Sequence, residues 1–220
     1  MDEPVRKWKI DAKGQDGKDI SAEISAEFEA IIQATRLEQI APGRISLLFL
    51  LSIFGAFKAG RVNPFQVAAE IEALEKGKST GLKPPIQNKY PPLKGLWHKH
   101  YMQTGIASMT MNVKHGLKQF GIPYLQKKVQ EAQQAREIRY FTVDDVAPIA
   151  RDAVSGNWKR LREAEKLTGE WIVFAKHEGL NYYLSLATHD LSTHDNLRQQ
   201  IDALSCREFP FLGQILADGS

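Results

Sequence analysis

Apolar residues recur every three or four positions over much of the chain, and this spacing predicts a mainly helical fold. The repeat is clear in residues 20–31. The apolar run 45–57 predicts a buried helix that is too short to span a bilayer. Asn63-Pro64, followed by Gln66, is typical of a helix start, and Gly77 is typical of a helix end.

A different pattern near the C-terminus predicts strands. Residues 171–175 and 182–186 are rich in β-branched and aromatic side chains, and the polar residues 177–181 between them indicate a hairpin turn. We therefore expect an α+β fold that is predominantly helical, with a small antiparallel β-sheet near the C-terminus.

Two proline pairs, Pro84-Pro85 and Pro91-Pro92, interrupt the middle of the chain. Proline pairs exclude regular helix and favour extended polyproline structure. The expected organisation is an N-terminal helical region (1–78), a basic proline-rich strap or linker (79–95), and an α+β region with the hairpin and a last helix (96–220).

Charge is distributed unevenly. Residues 76–130 contain no Asp, Glu or Arg, whereas the rest of the chain holds all 26 acidic residues and 19 of the 29 basic ones. The segment contains ten lysines: Lys76, Lys78, Lys83, Lys89, Lys94, Lys99, Lys114, Lys118, Lys127 and Lys128. Clustered positive charge of this kind attracts phosphates, which favours binding to a polyanion. Lysine is a point charge suited to backbone phosphates, so we expect any nucleic-acid binding to be independent of base sequence.

A second interpretation of the same lysines is structural. Acidic residues elsewhere in the chain could fold over them and leave an ordinary mixed surface. Glu70, Glu72 and Glu75 lie just before the basic segment and make this alternative concrete. Lysines that converge with the histidines would favour nucleic acid, and lysines paired with acids of the same chain would favour the structural interpretation.

The sequence from Trp97 to Tyr101 has the residue types that RNA cleavage needs. Imidazoles near their ordinary pKa serve as general base and general acid, lysines stabilise the charged transition state, and aromatic rings stack on bases. His98 and His100 would share one face on a strand but would point apart on a helix. The structural alternative makes Trp97 and Tyr101 core residues, with the histidines at the edge.

These patterns give a set of candidate site residues. The candidate catalytic pair is His98 and His100. The candidate nucleic-acid contacts are Lys89, Lys94, Trp97, Lys99, Tyr101, Lys114, His115 and Lys118.

Other chemistry has weaker support in the sequence. Six residues near the C-terminus have side chains that can bind a metal ion: His177, Glu178, His189, Asp190, His194 and Asp195. Their spacing matches no metal signature. We therefore expect no metal and no cofactor. The single cysteine, Cys206, excludes an internal disulfide framework and favours a reducing, cytoplasmic location. Phosphate-binding loops, dinucleotide fingerprints and nucleophile elbows do not occur in the sequence.

The leading hypothesis is a cytoplasmic protein that binds RNA or DNA through a lysine-rich surface. One form of this hypothesis is a ribonuclease-like toxin, and an enzyme of this type would be a metal-independent nuclease. The alternative is a protein-interaction module without catalysis, of the antitoxin, immunity or adaptor type, whose basic segment docks an acidic partner. A membrane partner is not expected, and the oligomeric state stays open.

Overall fold

The computed structural model describes residues 10–103, 105–138 and 140–217. Four strands form one antiparallel sheet in the order β1-β2-β3-β4. Their bounds are β1 Ile86–Gln87, β2 Trp97–Tyr101, β3 Glu170–His177 and β4 Leu180–Ala187. The expected fold class, α+β with mostly helical content, is confirmed.

Helices make up most of the remaining described residues. They are α1 Ser21–Thr35, α2 Leu37–Ile40, α3 Leu47–Lys58, α4 Pro64–Glu75, α5 Ile106–Phe120, α6 Pro123–Ala135, α7 Val143–Arg151, α8 Asn157–Glu163, α9 His194–Gln200, α10 Cys206–Glu208 and α11 Leu212–Ala217. None of the helices in the described ranges is long and apolar enough to cross a membrane.

The predicted hairpin is formed by β3 and β4. Glu178 and Gly179 connect the two strands, and both have positive φ angles, 50° and 77°. Two left-handed residues give the tight turn whose twist matches that of the flanking strands. Strand β2 pairs with the other edge of β3 and places His98 opposite Val173 and His100 opposite Trp171.

Helices of the N-terminal region pack on one face of the sheet. Phe28, Phe49 and Ile71 share a single apolar cluster with Ile172 and Phe174 of β3. Helix α4 begins as expected, because the Asn63 side chain accepts a hydrogen bond from the Phe65 N–H at 3.0 Å. The apolar run 45–57 forms α3, which is capped by Ser46 rather than starting at Ile45. The proposed division at residues 78 and 95 stays a prediction.

The opposite face of the sheet packs against the C-terminal helices. Val173 and Leu184 from the sheet lie in a second apolar cluster with Leu197, Ile201 and Leu212. Helices α5 to α8 follow strand β2 in the chain. Their contact with the body of the protein includes a small third cluster that contains Leu82, Leu161 and Leu167.

Helix α6 differs from the packing that its sequence predicts. The helical spacing of Leu125, Val129 and Ala132 predicts one inward apolar face, but α6 has no buried residue and Val129 is 48% exposed. Leu125 and Ala132 are partly buried and α6 contacts α7, but the cover is too thin to bury the face fully.

Candidate functional site

Strand β2 determines where the candidate catalytic histidines lie. In extended backbone alternate residues point to the same side, so His98 and His100 share one face of the sheet. This is the strand alternative of the two conformations that the sequence left open. The neighbouring strand places Trp171 directly opposite His100 on the same face.

Four imidazoles surround Trp171 and form the histidine cluster, which is defined as His98, His100, His189, His194 and Trp171. The His98 ring stacks on the indole with centroids 4.0 Å apart, and the His189 and His194 rings lie 5.1 Å and 5.3 Å from it. His100 stacks on His189 at 5.4 Å. The cluster therefore joins strand β2, strand β3 and the segment after β4.

Each imidazole in the cluster is held by a fixed oxygen. The Gly169 carbonyl accepts from His100 Nδ1 at 2.7 Å and from His189 Nε2 at 2.8 Å. The Asn88 side-chain oxygen accepts from His98 Nδ1 at 2.8 Å, and the Thr188 carbonyl accepts from His194 Nε2 at 2.9 Å. A carbonyl oxygen can only accept, so the contacting nitrogens of His98, His189 and His194 carry the proton. His100 Nδ1 lies 2.7 Å from the Gly169 carbonyl and 3.3 Å from the Gly169 N–H, and the shorter contact is the one in which the imidazole donates.

Close packing explains why residue 169 is glycine. A Cβ built at Gly169 would lie 1.9 Å from the Tyr101 carbonyl oxygen. Only glycine lets this backbone approach strand β2 closely enough for its carbonyl to reach both rings. A close contact between two backbones has no flexible side chain that could give way.

Burial holds the paired histidines of β2 in the neutral form. Burial is the main reason that the pKa values of His98 and His100 fall to about 4, and the positive charge of nearby Lys83 contributes to the same shift. The two side chains are 7% and 2% exposed. An RNA backbone cannot contact an imidazole that is covered in this way. Catalysis by His98 and His100 stays a prediction, and their burial argues against it.

The metal-ligand residue types do not assemble into a metal site. Across residues 10–103, 105–138 and 140–217, no group of three or more His, Cys, Asp or Glu side chains is placed to hold a metal ion. His177 lies at the hairpin end of β3, where it stacks on Phe211 with centroids 4.0 Å apart. Asp190 caps the short helical turn Leu191–Thr193 that follows β4, where its carboxylate accepts from the Ser192 N–H at 3.0 Å.

Three candidate nucleic-acid contacts, Trp97, Lys99 and Tyr101, lie on the opposite face of β2, which packs against the N-terminal helices. Lys99 is 4% exposed, and its Nζ lies 3.5 Å from a Glu70 carboxylate oxygen and donates to the Lys83 carbonyl at 3.0 Å. Tyr101 belongs to the apolar cluster beneath α3 and α4. Trp97 is half-buried and lies 3.8 Å from the Lys176 ammonium. For Lys99 and Tyr101, burial argues against contact with a phosphate.

The pair Lys99–Glu70 belongs to the core of the fold. Burial raises the pKa of Glu70 and lowers the pKa of Lys99, and the attraction between the two groups opposes both shifts. A Thr80 hydroxyl also donates to Glu70 at 2.8 Å. Lys99 therefore anchors strand β2 to α4, as the structural interpretation of the lysines expected.

A basic surface forms where α5, α8 and the strap meet. We define it as Lys83, His115, Lys118 and Lys166. The pKa of the His115 imidazole is lowered, first by partial burial and then by the positive charges of these three lysines. Among the described residues none forms an ion pair with Lys83, Lys118 or Lys166. The three ammonium groups are therefore not held in ion pairs with acids of the described chain.

Backbone contacts bring these residues together. Leu82 forms an isolated parallel bridge with Leu167, and the Lys83 N–H donates to the Leu167 carbonyl at 3.0 Å. The segment that contains Lys83 therefore runs alongside the segment that contains Lys166. Helix α5 approaches α8 at Gly116, where an added Cβ would lie 2.7 Å from the Asn157 Cβ. The close approach sets His115 and Lys118 against the same region.

The ten lysines of the basic segment divide into two groups. Four have an acidic partner in the chain: Lys76 with Glu72, Lys99 with Glu70, and Lys127 and Lys128 with Glu131. Six have no ion pair with any described residue: Lys78, Lys83, Lys89, Lys94, Lys114 and Lys118. Each interpretation of the charge therefore fits part of the segment.

The candidate contacts Lys89 and Lys94 lie apart from the basic surface. Both belong to the loop between β1 and β2, which closes where the Gly95 N–H donates to the Asn88 carbonyl at 3.0 Å. The loop lies against α11, since a Cβ at Gly95 would be 2.9 Å from the Ile215 carbonyl oxygen. Lys114, which is exposed on α5, lies next to His115.

The sequence did not indicate two features of this region. Lys166 lies outside the acid-free segment, and only the bridge between Leu82 and Leu167 shows that it belongs to the basic surface. Trp171 was expected in a strand but not in a site. The concentration of four of the six histidines near two strand-like segments was a signal, but the pairing of β2 with β3 was needed to interpret it.

Comparison with known proteins gives no match: no family model, curated protein or solved structure is similar to this chain.

Proposed function

We propose that this protein binds the phosphate backbone of RNA or DNA, without base-sequence preference, through the basic surface. The observation that carries the proposal is the convergence on His115 of Lys83, Lys118 and Lys166, none of which forms an ion pair with a described acid. Unpaired lysines release condensed counterions when they contact phosphates, which supplies affinity that is independent of sequence. A cytoplasmic location is part of the proposal and rests on the single cysteine.

Binding, rather than cleavage, is proposed because the chemistry and the charge lie in different places. The histidines with the right residue types for cleavage are buried around Trp171, whereas the unpaired lysines are at the surface. Cleavage remains a separate hypothesis. It requires that a His98→Ala or His100→Ala variant bind RNA as the native chain does and lose all hydrolysis.

The experiment measures affinity for a 20-base-pair RNA duplex and the matching DNA duplex over a range of salt concentrations. The native chain should bind both, and log K should fall linearly with log salt at a slope near −0.9 for each phosphate contacted. The variant K83Q/K118Q/K166Q should lose about tenfold or more in affinity and show a shallower slope.

A matched control removes the same amount of charge elsewhere. The variant K18Q/K58Q/K76Q also loses three positive charges, but each of these lysines is paired with an acid: Asp16, Glu27 and Glu72. It should bind nearly as the native chain does. If the two triple variants lost the same affinity, the effect would come from net charge alone, which would contradict a defined binding surface. Binding that does not depend on salt concentration would also contradict the proposal.

The alternative function, a protein-interaction module, has a specific observation in its favour. Exposed large apolar side chains are concentrated in residues 106–146, which hold ten of the eighteen in the described chain.

A further inference from the structure

Helices α5, α6 and α7, residues 106–151, form a helical arm with an unusual surface. Ten of the eighteen large apolar side chains that are exposed in the described residues lie between positions 106 and 146, which is less than a fifth of the chain. Neither α6 nor α7 has a buried residue. Exposed apolar side chains at this density mark an interaction surface.

The most exposed members lie on α5 and around the start of α7. Ile106 is 83% exposed, Ile138 88%, Tyr140 81% and Val143 86%. Phe141 and Val146, which could pack on each other across the first turn of α7, are still 64% and 50% exposed. Local packing within the arm therefore leaves most of this surface uncovered.

The exposed area matches what a stable dimer needs from one partner. Ten large side chains with exposed fractions between 38% and 88% present on the order of 1,000 Å² of apolar surface. A standard interface buries about 800 Å² on each partner. The arm is thus large enough to hold a second protein without any contribution from the rest of the chain.

The charges of the arm are complementary to each other. The exposed side of α5 carries Lys114 with no acid in the helix, and α7 has Asp144 in its first turn. In a two-fold contact every pairing occurs twice, so an arrangement with α5 of one copy on α7 of the other also places α7 of the first on α5 of the second. Such a contact pairs lysine with aspartate twice and buries the apolar side chains between them.

We infer that the helical arm is the surface through which two copies of this chain associate into an isologous dimer. The inference does not rest on the proposed binding of nucleic acid, because it depends on the apolar residues of the arm. The two can fail separately.

Analytical ultracentrifugation of the full chain from about 1 to about 100 μM tests the dimer. The native chain should reach twice its monomer mass of 24.8 kDa. The variant V143E changes a side chain that is 86% exposed, so the fold should survive. The dissociation constant of the dimer should rise at least tenfold. The matched control L191E places the same charge at an apolar residue that is 73% exposed outside the arm, and it should remain dimeric.

Charge exchange makes the test specific. Lys114→Glu and Asp144→Lys should each weaken the dimer, and the double variant should recover most of the loss because the pairs are restored with reversed sign. A native chain that stays monomeric over the whole range overturns the inference. So does a dimer that V143E leaves intact, or one that L191E disrupts equally.

Discussion

The histidine cluster and the basic surface are both close to Lys83, but they differ in burial, hydrogen bonding and charge. Lys83 lowers the pKa values of His98, His100 and His115 alike, so all three imidazoles are close to the same cation. The first two are buried and hydrogen-bonded to oxygens within the fold, whereas His115 is partly open to solvent among unpaired lysines. Residue type alone therefore does not distinguish a structural histidine from a histidine at the surface. The degree of burial does distinguish them.

The lysines of the two regions differ in the same way. Lys99 and Lys118 belong to the same acid-free segment, yet one is inside the protein beside Glu70 and the other is exposed and unpaired among the described residues. If the two regions differ as described, variants in the first should change stability and variants in the second should change binding.

The largest effect is expected at the centre of the histidine cluster. Trp171→Ala removes the ring on which His98 stacks and leaves a cavity between the imidazoles, so the free energy of unfolding should fall by about 3–5 kcal/mol. Urea denaturation at pH 7 measures it. In the absence of urea, where the variant is still folded, its affinity for the RNA duplex should equal that of the native chain. A loss of binding without a loss of stability would place Trp171 in the interface instead.

The next largest effect is expected at the buried ion pair. Lys99→Met leaves the Glu70 carboxylate buried without its cation and should lower the free energy of unfolding by about 3 kcal/mol. The double variant K99M/E70L should recover most of this loss, because a buried ion pair can be replaced by apolar residues. Lys76→Met, which breaks the exposed pair with Glu72, is the control and should have no measurable effect.

Stability should also depend on pH through the histidine cluster. The pKa of His98 and of His100 is about 4 in the folded protein, whereas the ordinary pKa of a solvated histidine is 6.5. The unfolded chain therefore binds more protons, and the stabilisation is present above pH 6.5 and lost as the pH falls from 6.5 to 4. Urea midpoints at pH values from about 7 down to about 4.5 should fall accordingly. The variant H98Q/H100Q should show a flatter dependence, and an unchanged slope would contradict the buried neutral state.

The smallest effect separates two groups of exposed lysines. Lys118→Gln should reduce affinity for the RNA duplex severalfold and lower the salt slope by about one. Lys89→Gln, on the loop beside α11, should leave the slope unchanged because it lies outside the basic surface. Both variants are compared in the same fluorescence titration. If they changed the affinity and the salt slope equally, the interface would have to extend over the whole lysine segment.

The features that could be predicted from the sequence are those with local causes. Asn63 and Pro64 start α4 through contacts within one helical turn, and the hairpin of β3 and β4 closes through two adjacent residues. Strand β2 has no such signal. Its pairing with β3 joins residues about seventy positions apart, and five polar or aromatic residues in a row have neither a helical nor an alternating pattern.

The candidate site was harder to predict for the same reason. Lys99 is buried because α4 provides Glu70, and Lys166 joins the basic surface because Leu167 pairs with Leu82. A count of charges along the chain contains neither fact. Such a count does indicate correctly that the segment holds unneutralised lysines, since six of its ten have no acidic partner among the described residues.

The most direct test of the difference between the two regions is an NMR titration of the imidazole resonances with the 20-base-pair RNA duplex. We expect the His115 signals to shift and the pKa of His115 to rise on binding, because nearby phosphates favour the protonated ring. The signals of His98 and His100 should stay where they are. Shifts at His98 and His100 with none at His115 would contradict binding at the basic surface and place the nucleic acid at the histidine cluster.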